Sequence, residues 1–201
     1  MIRETWGRSL PLAVDLRFFV GGGHQDFVLH DEASLDCKDD YDSLPYKTRE
    51  ICRWLLKTDN EHIFLCDTDT FIIPNRLLAS GFVQYDYSGR FGTVHPIGQT
   101  FLYDDLRNPP AMYYPWASGG IGYFLSRKAA EKIAFSDINH WAEDLWVGQI
   151  LGPAIQTGHI IAGDLFEFEC NTSWHFPRRR FNSGYDPKFG WMQKMQEEHG
   201  A

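Results

Sequence analysis

The fold of this chain is decided by the stretch Glu61-His62-Ile63-Phe64-Leu65-Cys66-Asp67-Thr68-Asp69-Thr70-Phe71. Its apolar residues run directly into two aspartates one residue apart, a pattern that predicts a buried strand whose carboxyl end opens into a site. The carboxylate oxygens of Asp67 and Asp69 suit Mg²⁺ or Mn²⁺. Such a cation suits a diphosphate, because it neutralises negative charge that the protein alone would hold poorly. The stretch therefore predicts a metal-assisted transferase that acts on a nucleotide-activated substrate.

Composition places the chain among folded globular proteins and excludes several other classes. The 201 residues are 43% hydrophobic and 15% aromatic, which predicts a single domain over residues 1–201. The net charge of −8 argues against nucleic acid as a partner, since binding phosphates requires a basic face. No apolar run reaches the length of a membrane span, and the N-terminus lacks the apolar region of a secretory signal. Four cysteines without CxxC spacing predict neither a zinc site nor a disulfide framework.

Hydrophobic periodicity predicts alternating strands and helices. The predicted helices span 44–57, 76–81 and 127–134, and a fourth begins near Glu143. The predicted strands span 16–20, the apolar part of 61–71, 85–92 and 165–170. Ser126 is placed to cap the third helix. The segment 93–112 has the least pattern and is expected to be a long surface loop, a kind of segment that often carries binding residues.

Two further segments carry candidate chemistry, and each has two interpretations. Residues 113–126 pack aromatic side chains around Gly119, Gly120 and Gly122. This composition is typical either of a sugar-binding surface or of a crowded turn against the core. Glu143 and Asp144 begin a predicted helix, where carboxylates either serve chemistry or simply complement the helix dipole.

Taken in order, six segments resemble the β-1,3-galactosyltransferase and fringe-like group, glycosyltransferase family 31. The matching segments are Ile2–Gly7, Phe18–Gly21, Asp39–Thr48, Asp67–Asp69, Ser118–Tyr123 and Glu143–Gly148. The resemblance implies an α/β fold of the GT-A type, with a mixed central sheet and flanking helices. It also implies inverting transfer of a hexose, galactose or an N-acetylhexosamine, from a UDP-sugar to a glycan or another hydroxyl acceptor.

The resemblance implies roles for individual residues as well. Asp144 would be the catalytic base, Asp69 would ligate Mn²⁺ or Mg²⁺, and Asp67 would help to hold the ribose or sugar of the donor. The other donor-binding residues expected on this basis are Arg3, Lys47, Thr68, Gly119 and Gly120. The acceptor-binding residues expected are Tyr114, Trp116 and Glu143. His175 is the nearest candidate for a third metal ligand, with a purely structural histidine as the alternative.

Two departures from the family pattern bear on these expectations. Relatives commonly carry three acidic residues at the metal motif, and Thr68 stands in the middle here. We expect little effect, because alternate residues after a strand tend to point the same way. Relatives also have a strand before the segment that matches Ile2–Gly7, and here Met1 precedes that segment directly. The central sheet is therefore expected to lack its first strand, unless another element replaces it.

Three hypotheses for function follow. The first is a metal-dependent UDP-sugar glycosyltransferase, and the second is a non-catalytic glycan- or nucleotide-binding member of the same fold. The third is a phosphohydrolase or other metal enzyme that uses Asp67, Asp69 and Asp144 as a cation cluster, which the aromatic and glycine-rich segment disfavours. The chain as written predicts a soluble cytoplasmic protein, whereas the resemblance implies the Golgi lumen if the chain is a fragment of a eukaryotic family member.

Overall fold

The structure is a computed structural model that describes residues 1–22, 29–165, 172–175 and 187–199. The described strands are β1 Phe18–Val20, β2 Glu32–Ser34, β3 His62–Leu65, β4 Thr70–Ile72, β5 Tyr87–Gly89, β6 Phe101–Tyr103, β7 Ala111–Tyr113, β8 Tyr123–Ser126, β9 Ala162–Asp164 and β10 Ser173–His175. The described α-helices are α1 Leu44–Leu55, α2 Pro74–Leu78, α3 Arg127–Ala134, α4 Glu143–Gln156 and α5 Pro187–His199. None of these helices combines the length and the apolar character that crossing a membrane requires.

The largest sheet has four strands in the order β3, β8, β5, β9. Strand β8 pairs antiparallel with β3 and β5, whereas β5 and β9 pair in parallel, so the sheet is mixed, as the family resemblance implied. The smaller pairs are β1 with β2, β4 with β10 and β6 with β7. The expectation of a mixed α/β protein with flanking helices is confirmed at this level.

Strand β8 divides the core into two halves because its side chains alternate between the faces of the sheet. Tyr123 and Leu125 face a cluster that includes Leu55 of α1, Ile133 of α3 and Trp146 of α4. Helices α1, α3 and α4 contact one another on this face. Burying each large apolar side chain there contributes roughly 1.5 to 3 kcal/mol. The helix cluster therefore holds the N-terminal end of α4 close to α1.

The opposite face of β8 packs on the N-terminal segment and α5. Phe124 belongs to a second cluster with Trp6, Phe71 and Met192. The Trp6 indole donates a hydrogen bond of 3.0 Å to the Thr70 carbonyl. The segment that begins with Ile2 therefore braces the strand that follows the two aspartates.

One prediction of secondary structure is confirmed and another is corrected. Strand β3 ends at Leu65, just before the two aspartates, as predicted, and a turn at Thr68 and Asp69 leads into β4. The expected surface loop at 93–112 contains β6 and the start of β7, which form an antiparallel hairpin. Phe101 pairs with Tyr113 on its inner face, and both side chains pack against Leu145 of α4. Of the strand expected at 165–170, all but the first residue lies outside the described residues.

Candidate active site

A cavity of about 900 Å³ opens beyond the carboxyl end of β3. Residues of β1 and β3 are part of its lining, and most of them are apolar. The residues in its lining that bear on the proposed chemistry include Arg3, Lys47, Thr48, Asp67, Thr68, Asp69, Gly119, Tyr123 and Glu143. Segments far apart in the sequence thus contribute to one concave surface, the usual form of a small-molecule site.

The two aspartates lie in the turn between β3 and β4. The Thr70 amide donates to the Asp67 carbonyl at 3.1 Å, which closes the turn. Asp69 is only 2% exposed, whereas Thr68 is exposed. The Thr70 hydroxyl donates a hydrogen bond of 2.6 Å to the Gly120 carbonyl. This bond joins the aspartate turn to the glycine segment that forms the adjacent wall of the cavity.

Glu143 and Asp144 occupy the first turn of α4, and their carboxylates reach different partners. Glu143 Oε1 accepts hydrogen bonds from the Thr48 hydroxyl, at 3.0 Å, and from the Tyr123 hydroxyl. Asp144 Oδ2 accepts from the Gly119 amide at 3.2 Å, and Oδ1 accepts from the amide of the next residue at 2.9 Å. Glu143 lines the cavity directly, whereas Asp144 is not among the lining side chains and borders the cavity through Gly119.

The acid pair has perturbed acidity. Burial raises the pKa of Glu143 to about 8, and the charge of Asp144 adds to the shift. Burial also raises the pKa of Asp144, while the hydrogen bonds from the Gly119 and Leu145 amides oppose that change. The charge of Asp67 raises both pKa values, so the three carboxyl groups lie within electrostatic reach of one another. Glu143 is therefore mostly protonated at neutral pH, and the two amides favour the ionised form of Asp144.

The two basic side chains expected to bind the donor, Lys47 and Arg3, already form ion pairs with acids. Lys47 donates to Asp39 Oδ1, and the Gly21 amide donates to Asp39 Oδ2 at 3.2 Å. The bond from Lys47 is the main reason that the pKa of Asp39 is lowered. Arg3 forms ion pairs of 2.7 Å with both Asp31 and Glu32. A phosphate that binds either cation must therefore compete with a carboxylate.

The expected acceptor-binding residues do not all lie together. Tyr114 and Trp116 pack along α4 rather than among the side chains that line the cavity. A Cβ atom built on Gly152 would lie 2.1 Å from Cγ of Tyr114, and one built on Gly148 would lie 2.8 Å from Cβ of Trp116. Of the three, Glu143 is the one that borders the cavity.

The metal ligands that the resemblance implies do not form a complete donor set among the described residues. Within residues 1–22, 29–165, 172–175 and 187–199, no group of three or more His, Cys, Asp and Glu side chains is arranged to hold a metal ion. His175 pairs with Thr70 through the β10 and β4 backbones, and its side chain lies outside the described part. A cation held by Asp67 and Asp69 would have to complete its shell with other oxygens, such as those of substrate phosphates and water.

Sequence reasoning missed several partners of the site. Thr48 and Tyr123 hold Glu143, although both lie inside segments that the family resemblance covers. Asp105 and His140 form a buried pair next to the start of α4, and no motif marked either one. A local feature of the sequence could have indicated His140. It lies three residues before the acid pair, and the helix that follows has an alanine at its N-cap position.

Similarity to known proteins is found at the level of a family. A family model described as Galactosyltransferase matches residues 1–155. No curated protein matches the chain.

Proposed function

Since the chain belongs to the galactosyltransferase family, we propose that it transfers a hexose from a UDP-sugar to a hydroxyl group, with inversion at the anomeric carbon. Galactose and N-acetylhexosamines are the proposed donor sugars, and a glycan or another hydroxyl compound is the proposed acceptor. The mixed sheet with α1, α3 and α4 packed on one face supports a fold of the GT-A type.

One observation carries the proposal. Asp67, Asp69 and Glu143 line one cavity, the charge of Asp67 reaches both Glu143 and Asp144, and Asp144 is bonded to the Gly119 backbone in the wall of that cavity. The proposed reaction needs carboxylates with two different tasks at neighbouring positions. One set would hold the cation that binds the leaving diphosphate, and another would accept the proton of the attacking hydroxyl.

In the proposed reaction, the acceptor oxygen attacks the anomeric carbon while the bond from that carbon to the UDP oxygen breaks. The acceptor proton passes to Asp144, and the electron pair of the broken bond leaves with UDP. The amides of Gly119 and Leu145 orient the Asp144 carboxylate and favour its ionised form. Glu143, mostly protonated at neutral pH, suits a hydrogen bond to a substrate oxygen better than removal of a proton.

A divalent cation is part of the proposal. Asp69, with Asp67 beside it, would hold Mn²⁺ or Mg²⁺, and the backbone position of His175 opposite Thr70 supports this histidine as a further ligand. When bound, the cation supplies positive charge that stabilises the leaving diphosphate. Lys47 and Arg3 do not offer the diphosphate an uncompensated positive charge, because each is bonded to an acid.

The test is release of UDP from a panel of UDP-sugars, with and without Mn²⁺ and sugar acceptors. We expect turnover with at least one donor, and we expect Asp144→Asn to lower it about 10² to 10⁴-fold while calorimetric binding of UDP is unchanged. Asp137→Asn, at an exposed carboxyl shortly before α4, is the matched control. Equal loss of UDP binding in Asp144→Asn would contradict the proposed role. Tight UDP-sugar binding without turnover on any donor would favour the non-catalytic binding protein.

A further inference from the structure

A buried polar cluster lies beside the first turn of α4, outside the cavity. His140 Nε2 is 3.0 Å from Asp105 Oδ2, and the two side chains are 6% and 4% exposed. The Trp141 indole donates to the same oxygen at 3.0 Å, and the Asn108 amide also donates to it. The Tyr113 hydroxyl lies 3.2 Å from His140 Nε2. A histidine and a carboxylate this deeply buried are costly unless their hydrogen bonds are satisfied, and here they are.

Asp105 is an ionised anchor in this cluster. Burial alone would raise the pKa of Asp105, but hydrogen bonds from Asn108, Trp141 and the Arg107 amide outweigh it, so the pKa is lowered. Asp105 belongs to residues 104–110, which join β6 to β7 and are called here the hairpin loop. The loop therefore presents a fixed negative charge to His140.

The other ring nitrogen of His140 acts on α4 itself. The Ala142 amide donates to His140 Nδ1 at 3.0 Å, while Nε2 lies 3.0 Å from Asp105 Oδ2. Ala142 is the N-cap residue of α4, and its methyl side chain cannot accept a capping hydrogen bond. His140 thus bonds to the backbone immediately before Glu143 and Asp144.

The hairpin loop also reaches the approach to α1. Arg107 Nη1 donates a hydrogen bond of 2.6 Å to Asp42 Oδ1, and its guanidinium lies 4.1 Å from the Trp141 ring centroid. Asp42 belongs to the short helical turn that leads into α1, the helix that carries Lys47 and Thr48. One loop therefore contacts the segments that lead into α1 and α4, two of the helices whose side chains line the proposed site.

We propose that His140 and Asp105 are positioning residues that hold the first turn of α4, and with it Glu143 and Asp144, at a fixed place relative to the donor cavity. The inference rests on the proposed function, because it assigns the pair a role in that reaction. Asp105 orients the imidazole, and the imidazole holds the Ala142 amide. Displacing a reacting group by about 1 Å can cost 10²-fold in rate, so the pair acts on turnover more than on donor affinity.

Two variants of His140 separate its two bonds. In His140→Asn the side-chain oxygen takes the place of Nδ1 and can accept from the Ala142 amide, but the side chain is too short to reach Asp105. In His140→Gln the terminal amide reaches toward Asp105, and the acceptor for Ala142 is lost. His159→Gln, at an exposed histidine just beyond the other end of α4, is the matched control. The readouts are UDP release from UDP-galactose, resolved into kcat and KM, and hydrogen exchange of the amides in residues 138–148.

We expect His140→Gln to lower kcat at least about tenfold with KM for UDP-galactose within twofold, and to speed amide exchange in 138–148 several-fold. We expect a smaller effect in His140→Asn on both readouts, and none in His159→Gln. Wild-type exchange and kcat in His140→Gln would overturn the inference, as would an increase in KM with kcat unchanged. If the unmodified protein does not turn over UDP-galactose, the proposed reaction fails for that donor, and the exchange data still decide whether His140 holds α4.

Discussion

The Gly119 amide nitrogen lies 3.2 Å from Oδ2 of Asp144, so the wall of the cavity and the proposed base are joined by a hydrogen bond. A Cβ atom built on Gly119 would meet Glu143 Oε2 at 3.0 Å and Asp144 Cβ at 3.6 Å. The space beside this glycine is therefore filled by the two carboxyl side chains of α4. Their positions and the backbone at Gly119 cannot change independently.

This contact predicts the effect of Gly119→Ala. The added methyl would push on the Glu143 carboxyl group and shift the start of α4, so we expect kcat to fall about tenfold with a smaller loss of UDP affinity. Gly92→Ala is the control, since a Cβ atom there meets nothing within 4 Å. Steady-state kinetics and calorimetry with UDP make the comparison. A loss confined to UDP affinity would show that the methyl acts on the donor pocket instead.

The proposed cation site predicts the behaviour of Asp69→Asn. The buried carboxylate of Asp69 has the chemistry to hold a divalent cation with a diphosphate, and the amide has lost the charge that does so. We expect the Mn²⁺-dependent part of UDP binding to disappear in the variant. Asp59→Asn, at an exposed position before β3, should bind as the unmodified protein does. Identical titrations of Asp69→Asn and the unmodified protein with Mn²⁺ would contradict the ligand assignment.

Local signals in the sequence predicted the elements that depend on near neighbours. Helix α3 begins after Ser126 as expected, and the Ser126 hydroxyl accepts from the Ala129 amide at 3.2 Å. Helix α4 begins at Glu143, where the acid pair indicated a helix start. The aspartate motif likewise lies at the end of a strand of the central sheet. Each of these features is set within about five residues of chain.

The features that sequence reasoning missed depend on distant contacts. Each strand of the β6 and β7 hairpin has three residues, and Phe101 and Tyr113 are buried because they pack on Leu145, more than thirty residues away in the chain. The acids that hold Arg3 pose the same problem. Arg3 meets Asp31 across 28 positions, and that pairing is set by tertiary structure. Motif roles therefore predict candidate site residues but not the partners that those residues have in the folded chain.

The bond between Lys47 and Asp39 predicts opposite effects of two substitutions on UDP binding. Lys47→Ala would remove the proposed charge-assisted contact to phosphate, which is worth roughly 1.5 to 3 kcal/mol, so we expect UDP to bind at least about tenfold more weakly. Asp39→Asn keeps an acceptor for the Gly21 amide and releases Lys47 from its ion pair. We therefore expect this variant to bind UDP more tightly at low salt, with the gain reduced as salt is added.

Calorimetry at two salt concentrations tests both variants, with Lys57→Ala at an exposed position as the control. Weaker UDP binding in Asp39→Asn would mean that the carboxylate supports the pocket rather than competing with the ligand.

The raised pKa of Glu143 predicts how stability depends on pH. Burial raises this pKa from 4.5 to about 8, so between these values the folded protein keeps a proton that the unfolded chain has released. The contribution of Glu143 to the free energy of unfolding is therefore full below about pH 4.5 and is lost as pH rises toward 8.

Glu143→Gln cannot titrate, and its side-chain oxygen can still accept from Thr48 and Tyr123. We expect the melting temperature of the variant to gain on that of the unmodified protein as pH rises from 5 to about 8. Calorimetric melting at several pH values measures the difference, with Glu131→Gln at an exposed position of α3 as the control. If the difference in melting temperature between Glu143→Gln and the unmodified protein stays constant across this pH range, Glu143 is ionised in the folded state. In that case Glu143, and not only Asp144, would be available to take the acceptor proton.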